Sequence, residues 1–204
     1  MNTHLCIIAG LGNPEERYDR TLHNAGFWFA DSVAATDGGQ FRFEKRFDAE
    51  ICRIMLAGAE VWVVKPQSYM NLSGGPIRAI LDYYRLPVDK LLVAHDEIDL
   101  PPGVVRLKKG GGHGGHNGVR DTIAHCGNDF MRVRLGVGHP GTKDKVTGYV
   151  LKQGPAEVDA AVRDAIAETV AVLPLLAEKG LETAMNRLHT QVNSRKRGDS
   201  ENGD

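Results

Sequence analysis

The sequence predicts a single α/β domain built on a twisted, mixed and largely parallel sheet with helices on both faces. Three observations carry that reading. Apolar strand-like runs are interleaved with helical patterns along most of the chain, which favours a sheet covered on both faces. The length, 204 residues, suits one core able to bury roughly 70% of the surface that the unfolded chain exposes. No repeat of 20 to 50 residues is present, so a solenoid or propeller is excluded.

The elements follow in order. A first strand, Leu5 to Ala9, empties into the Gly10-Leu11-Gly12-Asn13-Pro14 turn, and a helix is predicted from Asn24 to Ala35. Strands at Ile51 to Leu56 and Val61 to Lys65 precede a helix over Gly74 to Tyr84. Further strands are expected at Leu91 to Ala94 and Val104 to Leu107, then a helix over Gly118 to His125 and a strand over Met131 to Val137. A long helix fits Ala156 to Ala177. The tail from Asn193 is polar and free of aromatics, so the domain is placed at 1–192 and residues 193–204 are expected to be disordered.

Composition narrows the class. Cys6, Cys52 and Cys126 are odd in number and scattered, which reads as reduced thiols in a cytoplasmic protein. The N-terminus lacks a basic segment and no stretch approaches a membrane span, so a soluble, unprocessed protein without membrane contact is expected. Net charge is −1, yet residues 101–150 carry eight basic side chains against three acidic ones. That local excess allows either a solvated surface or a phosphate-binding face.

Polar side chains recur at strand ends or in the turns that follow: Asn13 with His23, Met70 with Asn71, His95 with Asp96, and His116 with Asn117. Such positions converge at one rim of an α/β sheet, where ligands collect. A carboxylate directly after a buried strand can reach a histidine from a neighbouring strand end, fix its tautomer and stabilise its imidazolium. His23 and Asp96 are therefore read as base and orienter, although each alone fits a structural role.

No Gly-x-Ser-x-Gly elbow surrounds Ser68 or Ser73, so water activated by histidine is the simpler nucleophile. The stretch Lys108 to Arg120 is rich in glycine and resembles a phosphate cradle with two lysines at its mouth. It lacks the Gly-Lys-Ser/Thr ending of a nucleotide loop, and Glu15 stands where a dinucleotide fingerprint needs its third glycine. His113 and His116 with Asp96 or Glu97 form an alternative metal set, held poorly by flexible glycines.

Taken together, Gly10-Leu11-Gly12-Asn13-Pro14, Thr21 to Gly26, Lys65 to Gly74, His95 to Gly103 and Gly110 to Gly118 resemble the bacterial-type peptidyl-tRNA hydrolases, in the family's order and spacing, up to about residue 190. The resemblance implies a carboxylic ester hydrolase that cleaves the bond between a peptide's C-terminus and the 3′-terminal ribose of tRNA, recycling tRNA from peptides lost by ribosomes. It implies His23 as catalytic base with Asp96 as partner. Asn13, Tyr18, Met70, Asn71, His116 and Asn117 would line the substrate cleft, and Lys108 and Arg134 would grip the tRNA 5′-phosphate. No cofactor or metal is implied, the partner is peptidyl-tRNA and the state is a monomer. Two residues depart from the family pattern: Glu15 replaces the usual glycine after Asn-Pro, and Leu22 replaces an arginine. A non-glycine residue fits if the turn there has φ < 0. A competing class is an RNA-binding relative without hydrolysis, against which intact His23 and Asp96 speak.

Overall fold

The structure, a computed structural model, describes residues 4–188. Seven strands form in chain order: Ile7–Gly10 (β1), Arg42–Glu44 (β2), Ala49–Leu56 (β3), Ala59–Pro66 (β4), Leu91–Glu97 (β5), Val105–Lys109 (β6) and Met131–Gly136 (β7). The helices are Ala25–Ala35 (α1), Gly74–Tyr84 (α2), Asn117–Cys126 (α3), Val146–Val150 (α4) and Ala156–Lys179 (α5), and residues 181–188 are also helical.

One sheet results, in the order β2-β3-β4-β1-β5-β7-β6. The central strands β4, β1, β5 and β7 are parallel, and antiparallel neighbours close both flanks. The sheet is thus mixed, with a parallel heart under helices. On one face Val33, Ile166, Leu173 and Leu176 of α1 and α5 pack against Ile8, Val63, Ala94 and Val133. On the other, Ile77, Ile80 and Val119 of α2 and α3 cover Ile7, Ala9, Val64 and Val93. Two buried faces explain the apolar runs that define the central strands in the sequence.

The chain leaves β1 toward one neighbour, returns through β4 and α2, and enters β5 on the opposite side of β1. A crevice opens at the carboxyl ends of β1 and β5 where the winding reverses. Two glycines let α1 press into it. A Cβ on Gly10 would lie 2.1 Å from the Gly26 carbonyl oxygen, and one on Gly26 would lie 2.4 Å from the carbonyls of both Leu11 and Ala94. No side chain fits either place, so the turn before α1 is fixed against both strands.

Several boundaries differ from expectation. β1 begins at Ile7 rather than Leu5, and β2, three exposed residues paired to β3, carries no apolar pattern from which to predict it. β5 continues past Ala94 to Glu97, because His95, Asp96 and Glu97 keep pairing with Arg134, Leu135 and Gly136 of β7. His95 and Asp96 therefore belong to the strand itself instead of the loop after it. The short helix α4 also went unpredicted, its five residues being too few for a periodic signal. The expected boundary at residue 192 and the tail 193–204 lie outside the described residues.

Candidate active site

The loop leaving β1 is pinned by two asparagines. Asn24 brackets the Asn13 backbone, its Oδ1 accepting from the Asn13 N–H at 2.9 Å and its Nδ2 donating to the Asn13 carbonyl at 3.0 Å. Asn13 passes the constraint on, its Oδ1 accepting from the Met70 N–H at 2.8 Å. Three segments, around residues 13, 24 and 70, thus become one rigid wall. Half of the Asn13 amide is spent on that wall, which leaves its Nδ2 donor for the cleft it lines.

His23 sits in a single 3-10 turn, Leu22–Asn24, immediately before α1. The turn is held by the Leu22 N–H on the Lys152 carbonyl at 3.2 Å and by a bridge between Thr21 and Gln153. His23 Nδ1 lies 2.9 Å from Asp96 Oδ1, and His116 Nε2 lies 2.9 Å from the same oxygen. His116 also caps α3, its Nδ1 accepting from the Val119 N–H at 3.3 Å. That cap assigns the tautomer: Nδ1 accepts, so the proton is on Nε2 and is donated to Asp96. Both nitrogens of His116 are engaged within the protein, so it offers the cleft only its ring. His23 likewise turns an N–H to Asp96, leaving Nε2 unprotonated.

Asp96 is 3% exposed. Burial alone raises its pKa, but the electrostatic pull and hydrogen bonds of the His23 and His116 rings outweigh burial and hold it well below the usual carboxylate range. For His23, burial opposes protonation, yet the charge and hydrogen bond of Asp96 raise its pKa above the ordinary value. His95 lies beneath, fully buried, with its ring 4.9 Å from that of His116 and Nδ1 2.7 Å from the Asp96 carbonyl. Burial first, then the neighbouring His116, pushes its pKa down to about 3. It remains a neutral ring packed behind the site.

Asn13, Tyr18, His23, Met70, Asn71, Asp96, His116 and Asn117 all line one cleft of about 810 Å³. The four strand-end pairs of the sequence therefore do converge, except that His95 is excluded from the cleft surface. Lys108 and Arg134 lie outside it on β6 and β7. Arg134 Nε donates to Glu97 Oε2 at 2.9 Å, while Lys108 is exposed. His113 is not part of the cluster, its Nδ1 accepting from the Gly115 N–H.

The two departures each find a place. Glu15 has φ −81°, an ordinary value, and its Oε1 accepts from the Tyr69 hydroxyl and from Arg17 Nη2 on the cleft rim. Leu22 is fully buried and a Cβ on Gly154 would touch it, so an apolar contact stands there. Sequence reasoning missed part of the cleft's lining, contributed by Val146, Thr147 and Val150 of α4 and by Leu151 just after it. It also missed Glu97 as the partner of Arg134. The only signal was the alternation of basic and apolar residues in β7.

Comparison with known proteins places this architecture. The peptidyl-tRNA hydrolase family profile matches residues 7–197. A peptidyl-tRNA hydrolase of Marinobacter nauticus is 48% identical over 194 residues, spanning 93% of this chain and 97% of that protein. One from Vibrio parahaemolyticus is 45% identical over 192 residues, spanning 93% and 98%. The crystal structure of peptidyl-tRNA hydrolase from Acinetobacter baumannii superposes with a TM-score of 0.89 at 39% identity, covering 92% of this chain and 96% of that one.

Proposed function

The chain belongs to the peptidyl-tRNA hydrolase family, an enzyme that hydrolyses peptidyl-tRNA, and from that premise we propose that His23 and Asp96 perform the reaction without a metal or cofactor. His23 Nε2 takes a proton from water, and the resulting hydroxide attacks the carbonyl carbon of the ester between peptide and 3′-terminal ribose. The tetrahedral oxyanion forms near Asn117, the first residue of α3, where that side chain and the free N–H groups of the helix end favour negative charge. On collapse, the ribose oxygen leaves with the proton from His23, giving a peptide with a free carboxyl and a tRNA with a free terminal hydroxyl. Asp96 stabilises the transient imidazolium.

The observation that carries this reading is the His23–Asp96 contact of 2.9 Å at the wall of the cleft. Asn13 and Asn71 offer amides suited to a peptide backbone, which every substrate shares. Tyr18 and Met70 supply contact area, and Lys108 and Arg134 take the tRNA 5′-phosphate. The enzyme acts as a monomer in the cytoplasm. Among the described residues no helix is long and apolar enough to cross a membrane.

A metal reading arises because His23, Asp96 and His116 bring ligand atoms within 4.8 Å of one another. The donor chemistry disfavours it. A metal on His116 Nε2 needs the proton moved to Nδ1, where it opposes the Val119 N–H and breaks the cap of α3.

The deciding assay is release of tRNA from N-acetyl-aminoacyl-tRNA in excess EDTA, beside His23→Ala and against unblocked aminoacyl-tRNA. Rapid cleavage of only the blocked substrate, abolished in the variant while RNA affinity persists, is expected. Loss of activity with EDTA points to a metal. Absence of cleavage despite tight tRNA binding moves the chain to a non-catalytic binder.

A further inference from the structure

Arg132 occupies an unusual position. On β7 it points to the face under α3, in register with Val93 on the adjacent strand β5 and with Ala9 on β1 beyond it, two residues of the apolar core. It is only 3% exposed, yet among the described residues it forms no ion pair, and its Nε has no hydrogen-bond partner. Leaving a buried guanidinium without a carboxylate is costly. What it does hold is backbone: Nη1 donates to the Gly112 carbonyl at 2.9 Å and Nη2 donates to the Gly110 carbonyl.

Those carbonyls belong to the glycine loop joining β6 to α3. Gly110, Gly111, Gly114 and Gly115 all have positive φ, so the loop has little stiffness of its own. A Cβ on Gly111 would meet Lys108 Nζ at 2.7 Å and Arg132 Nη2 at 3.1 Å, which shows how closely the two cations enclose it. Opposite Arg132 in the antiparallel pair stands Lys108. The loop therefore begins at the side chain proposed to take the 5′-phosphate and ends at His116 and Asn117 in the cleft. Its other hydrogen bonds are few: Gly110 N–H to the Phe130 carbonyl outside the loop, and within it Gly115 N–H to His113 Nδ1 and His116 N–H to the His113 carbonyl.

We infer that Arg132 is a positioning residue: its guanidinium is the strut that shapes the glycine loop, coupling the phosphate grip at Lys108 to the placement of His116 and Asn117. The coupling rests on the function proposed above, whereas the strut itself does not. Two parallel N–H donors spanning carbonyls two residues apart need the fork of arginine, which a lysine ammonium lacks. A loop displaced by about 1 Å at its cleft end suffices to lower turnover on the order of 100-fold.

The test uses the full-length protein as wild type, Arg132→Met, Arg132→Lys and Lys108→Ala. Each is assayed on N-acetyl-aminoacyl-tRNA with and without its 5′-phosphate, and amide hydrogen exchange of residues 110–116 is measured in the absence of RNA. For Arg132→Met, kcat is expected to fall about 10- to 100-fold on both substrates, the benefit of the 5′-phosphate to vanish, and the Gly110, Gly115 and His116 amides to exchange faster. Arg132→Lys is expected to show a smaller change in the same direction. Lys108→Ala is expected to raise KM for the phosphorylated substrate alone, with exchange unchanged.

A variant of Arg132 that changes only KM for phosphorylated tRNA, with native loop exchange, makes it one more cation and overturns the inference. Unaltered kcat and exchange overturn it equally. Should Arg132→Met fail to fold, wild-type turnover and exchange in Arg132→Lys have the same force. A wild-type enzyme indifferent to the 5′-phosphate overturns the coupling. If the wild type cleaves nothing, the proposed function falls, and loop exchange alone then judges the strut.

Discussion

Asp96→Asn isolates charge from shape in the active centre. The carboxylate accepts from His23 and His116 on a single oxygen, and an asparagine retains one accepting oxygen of nearly the same position. What disappears is the negative charge facing a forming imidazolium. A hydrogen bond to a charged group contributes about 1.5–3 kcal/mol, which corresponds to about a 10- to 150-fold loss of kcat. If the amide instead turns its Nδ2 toward His23, the ring must adopt the opposite tautomer, and the loss extends toward about 10⁴, as in a serine-protease triad. The pH profile gives a second reading. His23 must be neutral to accept a proton, and Asp96 raises its pKa, so activity declines as pH falls through a value raised above the ordinary histidine one. In Asp96→Asn the burial of His23 acts unopposed, and the acid limb of kcat/KM moves to lower pH while the plateau drops. The measurement is kcat/KM for N-acetyl-aminoacyl-tRNA from about pH 5 to 9, with thermal denaturation to confirm folding. A loss under about threefold with an unmoved acid limb contradicts the magnitudes above and removes Asp96 from the mechanism.

Other expectations follow from the same geometry. Lys108→Ala should lower the slope of log affinity for tRNA against log salt by about one, and an unchanged slope removes Lys108 from phosphate contact. Gly26→Ala places a methyl 2.4 Å from two backbone carbonyls that cannot yield. A cost of about 3 kcal/mol is expected, lowering Tm by about 10 °C, and a Tm within about 2 °C of wild type refutes that tight approach. His95 contributes an acid-sensitive element. Its folded pKa of about 3 lies below that of the unfolded chain, so its contribution is present above the ordinary histidine range and is lost as pH falls. Chemical denaturation at a series of pH values should show stability declining from about pH 6.5 downward, less steeply in His95→Gln. Equal slopes in both proteins would show that His95 is not held neutral.

Much of this molecule is legible in the chain because it depends on near neighbours. The central strands follow from runs such as Leu91 to Ala94, and α2 was predicted to the residue because its apolar spacing is local. The strand-end placement of Asn13, His23, Asn71 and Asn117 follows from where such runs stop, and their order and spacing carry the family resemblance. Folding was needed for whatever depends on contacts between distant residues. Residues 23, 96 and 116 share one oxygen only because β1, β5 and α3 end at the same crevice. The length of β5 is set by β7, so no pattern within His95-Asp96-Glu97 reveals it. The tautomer of His116 comes from its cap on Val119, and Arg134 is held by Glu97, 37 residues away. Arg132 makes the same point: in sequence it is one basic residue among eight in a charged segment, while in the fold it lies buried beneath a glycine loop. Periodicity specifies which way a side chain points from its own strand, but the depth of its burial, the charge it meets and the proton it carries belong to the elements packed over it.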